Sequence, residues 1–158
     1  RAGRREIGGV LVGEHIEGDI FRVAGISVQR DGGSDSHFVR DPNQHKTFLE
    51  KFFAETGHDY DRFNYIGEWH SHPSFSALPS PTDCEAMYQI IEDAATGTAF
   101  AVLLVARLHF WWGLQLSATG FRSGMLPDPI ELEAQKGDRV AKAFHQVRPR
   151  VIRRVRII

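Results

Sequence analysis

Two histidines separated by one residue, with an aspartate eleven positions after the second, carry the clearest chemical pattern in this 158-residue chain. His70 and His72 follow residues 63–69, whose apolar and aromatic composition is typical of a β-strand. Side chains two apart on a strand point to the same face, so both imidazoles can bind one metal ion. Asp83 can supply a third ligand from the start of the next helix. The pattern predicts one Zn²⁺, held by His70, His72 and Asp83, with water in the fourth position.

The same aspartate fits a structural role. Ser80, Pro81 and Asp83 have the spacing of a helix start, with serine as N-cap, proline at the first helical position and an acid at the third. The two roles are compatible, because a capped first turn would hold the carboxylate rigidly. Cys84 points about 100° away from Asp83 on a helix, so we expect it to be a small core residue rather than a ligand.

Hydrolytic chemistry at such a site needs a base that takes a proton from water. Four carboxylates are candidates, and spacing alone does not choose among them: Glu6, Glu14, Glu68 and Glu85. Glu6 precedes a pair of glycines and an apolar strand, where a lone carboxylate needs a reason to be present. Glu68 lies two residues before His70, so a regular strand would place it on the ligand face as a supporting group.

The composition is that of one globular domain, with 42% hydrophobic and 25% charged residues. The single cysteine excludes an internal disulfide framework and a cysteine-rich zinc site. It also fits a reducing compartment, so we expect a cytoplasmic protein. The longest apolar run, residues 99–106, is far shorter than the roughly 20 residues that span a bilayer, and no membrane association is expected.

Charge is unevenly distributed along the chain. Residues 136–158 contain eight basic residues and one acid, a balance of +7, which leaves −8 for the rest of a chain whose net charge is −1. We therefore expect a domain over residues 1–135 and a solvated basic tail over residues 136–158. Docking of this tail to a charged partner is the alternative. Nucleic acid is not expected, because the tail has no recognisable nucleic-acid-binding motif.

Hydrophobic periodicity predicts the element order β-β-α-β-α-β-β, and hence a mixed sheet with helices packed against it. A turn is expected over residues 14–19, and no element is predicted after Gly120. The predicted strands cover residues 9–13, 20–28, 63–69, 100–108 and 110–116, and the predicted helices cover residues 43–55 and 82–95.

Together these residues resemble the JAB/MPN/Mov34 metallopeptidases, whose JAMM signature is a Glu, a distant His-x-His-Pro, six residues, Ser, two residues and Asp. Every fixed position is matched here by Glu6, His70, His72, Pro73, Ser80 and Asp83. Residues 6–13 also resemble the opening block of the family, so the resemblance, rather than spacing, selects Glu6. It covers about residues 5–120 and implies an α+β, cytidine-deaminase-like fold with a partly curled mixed sheet.

The resemblance implies a zinc metallopeptidase in which His70, His72 and Asp83 bind the metal. Glu6 would be the general acid/base, and Ser80 would stabilise the oxyanion. Because all five positions are kept, the resemblance favours an active enzyme over an inactive scaffold. Family members typically cut peptide or isopeptide bonds after the C-terminal tail of ubiquitin or a ubiquitin-like protein.

The short body resembles the small bacterial members, several of which occur beside E1- and E2-like proteins in conjugation or antiphage defence systems. We therefore expect a deubiquitinase-like enzyme that acts on a ubiquitin-like protein or its conjugate, with E1- or E2-like proteins as further partners. Strand addition at an exposed sheet edge would hold the extended tail, between walls formed by residues 29–37 and 120–129. The alternatives are a sulfur-carrier-protein peptidase of cysteine biosynthesis and a non-catalytic interaction module.

Overall fold

The computed structural model describes residues 5–34, 38–109, 113–133 and 156–157. Its first seven elements follow the predicted order, and two short strands come after them. The elements are β1 (Gly8–Glu17), β2 (Ile20–Ile26), α1 (Pro42–Glu55), β3 (Phe63–Ser71), α2 (Pro81–Glu92), β4 (Phe100–His109), β5 (Gly113–Arg122), β6 (Asp128–Leu132) and β7 (Arg156–Ile157).

The predicted β1–β2 hairpin is confirmed, but the predicted turn over residues 14–19 is too long. Strand β1 continues through Glu17, which pairs with Ile20, and the turn contains only Gly18 and Asp19. Polar residues extend this strand because its cross-strand hydrogen bonds do not depend on apolar side chains. Gly18 has φ +50°, a conformation that glycine adopts without steric cost. The predicted turn before residue 113 lies outside the described residues.

The strands form a closed barrel in the order β1-β2-β7-β6-β5-β4-β3, which confirms the mixed sheet. Strands β3 and β4 are parallel and are joined through α2, whereas β1 is antiparallel to both β2 and β3. A partly curled sheet was expected, and the observed sheet curls until it closes into a barrel. Among the described residues β2 pairs with β7 only through Ile20 and Phe21, and the expected strand addition at a sheet edge stays a prediction.

Apolar residues pack on both faces of the sheet. On one face, α2 contributes Met87 and Ile91 against Leu103, Val105 and Phe121 of β4 and β5, and Cys84 packs at the margin of this cluster as expected. A second cluster on β4, β5 and β6 contains Val102, Ala118 and Ile130. This packing fixes α2, whose first turn carries Asp83, to the sheet beside the strand end where His70 and His72 lie.

The predicted division between residues 1–135 and 136–158 falls among residues that the structure does not describe, and it stays a prediction. The two residues of β7 pair with β2 and β6 and complete the barrel. No helix in the described part of the chain is long and apolar enough to cross a membrane.

Candidate metal centre

The end of β3 places both histidines in one buried position. His70 pairs with Gly8 of β1 and with Val105 of β4, and the His72 backbone N–H donates to the Ala106 carbonyl at 2.8 Å. Each histidine is only 5% exposed, and their Nε2 atoms lie 3.0 Å apart. The predicted convergence of the two imidazoles is therefore present in the fold.

The tautomer of His72 follows from its hydrogen bond to the loop after β3. Its Nδ1 lies 2.7 Å from the Ser76 carbonyl oxygen. A carbonyl can only accept, so Nδ1 carries the proton and donates, which leaves the Nε2 lone pair of the neutral ring directed at the cluster. A backbone carbonyl on the far nitrogen is the usual way in which proteins orient a histidine ligand.

Asp83 reaches the histidines from the first turn of α2, and the predicted helix cap is confirmed. The Ser80 N–H donates to Asp83 Oδ2 at 2.7 Å, and the Asp83 N–H donates to Ser80 Oγ at 3.2 Å, which makes a reciprocal capping box. Asp83 Oδ1 lies 3.6 Å from His70 Nε2, and Oδ2 lies 3.7 Å from His72 Nε2. The cap thus fixes the carboxylate beside both rings.

Glu6 joins the cluster from the residue pair that precedes β1. It is 2% exposed, and its Oε1 lies 3.9 Å from His72 Nε2. Glu6, His70 and His72 each offer one possible ligand atom, and these three atoms all lie within 4.8 Å of one another. A carboxylate buried this deeply costs free energy unless cations or hydrogen-bond donors surround it, and His72 is one neighbour that can carry a positive charge.

The electrostatics of the cluster keep Asp83 charged. Burial alone would raise the pKa of its carboxyl group, but the neighbouring His70 and His72 rings and the hydrogen bonds within the Ser80 cap hold that pKa well below its ordinary value. The same pairing with Asp83 raises the pKa of His72 against the opposing effect of burial. The carboxylate therefore favours a cation among these side chains, whether a proton or a metal.

The spacing of the donor atoms fits a tetrahedral zinc ion. Zinc–nitrogen bonds near 2.0 Å place neighbouring ligand atoms about 3.3 Å apart. The two histidine nitrogens are 3.0 Å apart, and Asp83 lies 3.6 Å from His70 through Oδ1 and 3.7 Å from His72 through Oδ2, distances on both sides of that value. Two neutral imidazoles and one carboxylate are also a donor set that suits Zn²⁺ with an open position.

The other three candidate carboxylates have different surroundings. Glu14 lies toward the other end of β1, where it accepts from Arg62 at 2.6 Å and from Arg22 at 2.9 Å. Glu68 forms an ion pair with Arg40, and burial raises the pKa of its carboxyl group. Glu85 is exposed on α2. Of the four, Glu6 is the carboxylate that lies within the histidine cluster.

One of the two predicted walls lies beside the cluster. The Glu6 N–H donates to the Ser34 carbonyl at 2.8 Å, so the loop after β2 borders the cluster, although residues 35–37 of that wall are outside the described residues. The second predicted wall, residues 120–129, stays a prediction. Its first residue, Gly120, pairs with Val102, three positions before the Val105 that pairs with His70.

Sequence reasoning missed a buried polar group next to this region. His45 is 1% exposed and hydrogen-bonds to Ser27 and Gln29. The signal was present, because His45 precedes Phe48 by three residues and Leu49 by four and so continues the apolar stripe of α1. A histidine on that stripe must have polar partners when it is buried.

Comparisons with known proteins bear on the fold and on the family. No curated protein matches the sequence. The solution structure of protein DSY2949 from Desulfitobacterium hafniense is similar in fold, with a TM-score of 0.64 and 20% sequence identity over 91% of this chain and 88% of that one. Residues 1–114 match the family described as prokaryotic homologs of the JAB domain. That match covers Glu6, both histidines and Asp83, and the chain belongs to this prokaryotic JAB family.

Proposed function

We propose that this chain is a zinc-dependent peptidase that cuts the peptide or isopeptide bond after the C-terminal tail of a ubiquitin-like or similarly conjugated protein. The observation that carries the proposal is the buried Glu6 carboxylate, 3.9 Å from a histidine whose partners, His70 and Asp83, complete a zinc-like donor set. A structural metal site needs no such additional carboxylate, whereas a hydrolytic site needs a base.

Each side chain has a distinct task in this reaction. His70, His72 and Asp83 would hold the zinc ion, which when bound supplies Lewis acidity and lowers the pKa of water toward 7. Glu6 takes the proton of the attacking water and delivers it to the leaving amine. The Ser80 oxygen accepts within the helix cap, so its own O–H can donate to the oxygen of the carbonyl under attack.

The surface beside the cluster supports an extended polypeptide as substrate. The loop after β2 exposes Val28 by 47% and Val39 by 56%, and the loop after β3 exposes Phe75 by 51% and Leu78 by 55%. The ring of Phe75 lies edge-on to the His72 ring, 6.4 Å away. Large apolar side chains exposed on the two loops that border the cluster suit the side chains of an extended protein tail. E1- and E2-like proteins would then produce the conjugates.

The direct test is hydrolysis by the purified chain. Substrates are a ubiquitin-like protein fused to a larger protein, the same modifier linked to a lysine side chain, and a sulfur-carrier protein linked to cysteine. Wild type should cut the fusion or the isopeptide, and Glu6→Gln should lower kcat by about 10²–10⁴-fold while the protein still binds zinc. Glu85→Gln, which alters an exposed acid on α2, is the matched control and should keep the wild-type rate.

Other outcomes separate the alternatives. Cleavage of the carrier–cysteine adduct alone would move the substrate to the sulfur-carrier class. Purified protein that binds no zinc, together with a Glu6→Gln variant that is indistinguishable from wild type, would leave a non-catalytic interaction module and end the peptidase proposal.

A further inference from the structure

The buried histidine of α1 uses both of its ring nitrogens. His45 Nε2 lies 3.1 Å from Gln29 Oε1, and Nδ1 lies 2.8 Å from Ser27 Oγ. An amide oxygen can only accept, so Nε2 carries the proton and Nδ1 accepts from the Ser27 hydroxyl. Ser27 Oγ in turn accepts from the Val10 N–H at 2.9 Å. The donor and the acceptor of each hydrogen bond in this network are therefore assigned, and the His45 ring is neutral.

Gln29 connects this hydrogen-bond network to the loop that follows β2. Its Nε2 donates to the carbonyls of Asp31 and Val39 at 2.8 and 3.0 Å, and its Oε1 also accepts from the Asp41 N–H at 2.9 Å. One side chain thus ties together the beginning and the end of residues 29–41. The His45 and Asp41 N–H groups both donate to the Gln29 oxygen while two loop carbonyls accept from its nitrogen, so a single orientation of the amide satisfies all four partners.

The same loop holds the backbone of Glu6. The Gln29 N–H donates to the Gly8 carbonyl at 2.7 Å, and the Glu6 N–H donates to the Ser34 carbonyl at 2.8 Å. Gly33 touches the Glu6 backbone so closely that a Cβ there would lie 2.0 Å from the Glu6 carbonyl oxygen. A shift of the loop must therefore move the backbone from which the Glu6 side chain extends.

We propose that His45, acting through Gln29, is a positioning residue for Glu6. The inference rests on the proposed function, because only a catalytic Glu6 needs exact placement. Of the ligands, His70 lies on β3, His72 directly follows that strand and Asp83 lies on α2, so all three are outside this network. Loss of the network should consequently lower the rate of the chemical step without weakening metal binding, since misplacement of a reacting group by a fraction of an ångström is costly.

The test compares zinc-loaded full-length variants. His45→Phe keeps a ring but removes both hydrogen bonds, and Gln29→Met removes the amide at similar length. The matched control is Phe52→Leu, which loosens the packing of Phe52 on Phe63 at the other end of α1. Both network variants should lower kcat about tenfold, with KM and zinc affinity within about twofold of wild type, whereas Phe52→Leu should keep the wild-type kcat.

A second readout does not require activity. Amide hydrogen exchange at Glu6 and Gly8 should become faster in His45→Phe and Gln29→Met than in Phe52→Leu. If wild type hydrolyses no substrate but this exchange difference is present, the peptidase proposal fails while the positioning link stands. An unchanged kcat in folded network variants, or equal losses in the Phe52→Leu control, overturns the positioning role. If His45→Phe does not fold, Gln29→Met alone decides.

Discussion

Ile7 and Ser71 hydrogen-bond to each other twice, once through backbone atoms alone and once through the serine side chain. The Ser71 N–H donates to the Ile7 carbonyl at 2.8 Å, and the Ile7 N–H donates to Ser71 Oγ at 3.0 Å. Ile7 follows Glu6, and Ser71 separates the two histidines. This pair therefore fixes the distance between the proposed base and the proposed metal ligands.

Replacing Ser71 tests that link. Ser71→Ala leaves the Ile7 N–H without its acceptor, at a cost of about 1–3 kcal/mol in the free energy of unfolding, and should lower kcat because Glu6 is less well held. Ser71→Thr keeps the hydroxyl and should behave as wild type. Urea unfolding and steady-state hydrolysis measure the two effects. A wild-type kcat in Ser71→Ala would separate the hydrogen bond from catalysis.

Ser80 has two proposed tasks, and two substitutions distinguish them. Ser80→Ala removes the N-cap of α2 and should lower the free energy of unfolding by about 1 kcal/mol. Ser80→Asn keeps a good cap but changes the donor, so its urea midpoint should stay near wild type while kcat falls by about 10²-fold. If Ser80→Asn hydrolyses substrate at the wild-type rate, Ser80 is a structural cap only.

Zinc should stabilise the folded chain by mass action. At free zinc a hundredfold above its dissociation constant, the free energy of unfolding should rise by about 2.7 kcal/mol. His70→Ala removes a proposed ligand and should abolish most of this increase, whereas His15→Gln, at an exposed histidine, should retain it. Urea unfolding with and without zinc measures the increment. Its persistence in His70→Ala would place the bound metal elsewhere.

Stability should fall below neutral pH because of His45. Burial, aided by the positive charge of Arg40 and opposed by Asp41, lowers the pKa of His45 below its ordinary value of 6.5. As pH falls below 6.5, the unfolded chain gains a proton that the folded chain rejects, so the contribution is complete above 6.5 and is lost below it.

The measurement is the urea midpoint at pH 7.5 and 5.5 in zinc-free protein. The loss attributable to His45 at pH 5.5 is at most about 1.4 kcal/mol, and His45→Gln should show a correspondingly smaller difference between the two pH values. Because both proteins retain the other histidines, their titration cancels in the comparison. Equal pH dependence in the two proteins would contradict a neutral His45.

Much of the fold was predictable from local pattern. The helix over Pro42–Glu55 and the capped start at Ser80 follow from apolar spacing and from end signals that act within one turn. Strands β6 and β7 were missed, because β6 is short and includes Pro129, and β7 has two residues. Barrel closure depends on pairing between distant segments, which no local period encodes.

Part of the candidate site was likewise predictable from local sequence pattern, and part was not. The convergence of His70 and His72 follows from strand periodicity, and that of Asp83 follows from the helix start. The choice of Glu6 over Glu14, Glu68 and Glu85 did not follow from spacing and rested on a family resemblance. The Ile7–Ser71 pair that places Glu6 spans 64 positions, a separation that sequence pattern does not reveal. The partners of Gln29 and His45 are 2 to 18 positions away, but they lie on an irregular loop and at the end of β2, where no periodic pattern reveals the contacts.

The separation of 64 positions between Ile7 and Ser71 affects the order in which the parts of the proposed active site assemble. All three proposed ligands lie between residues 70 and 83, on one strand end and the adjoining helix start, so they can assemble from a single short stretch of polypeptide. Glu6 arrives only when the first strand docks on the third. Metal binding can thus precede the docking of β1, whereas the proposed cleavage requires that β1 has already paired with β3.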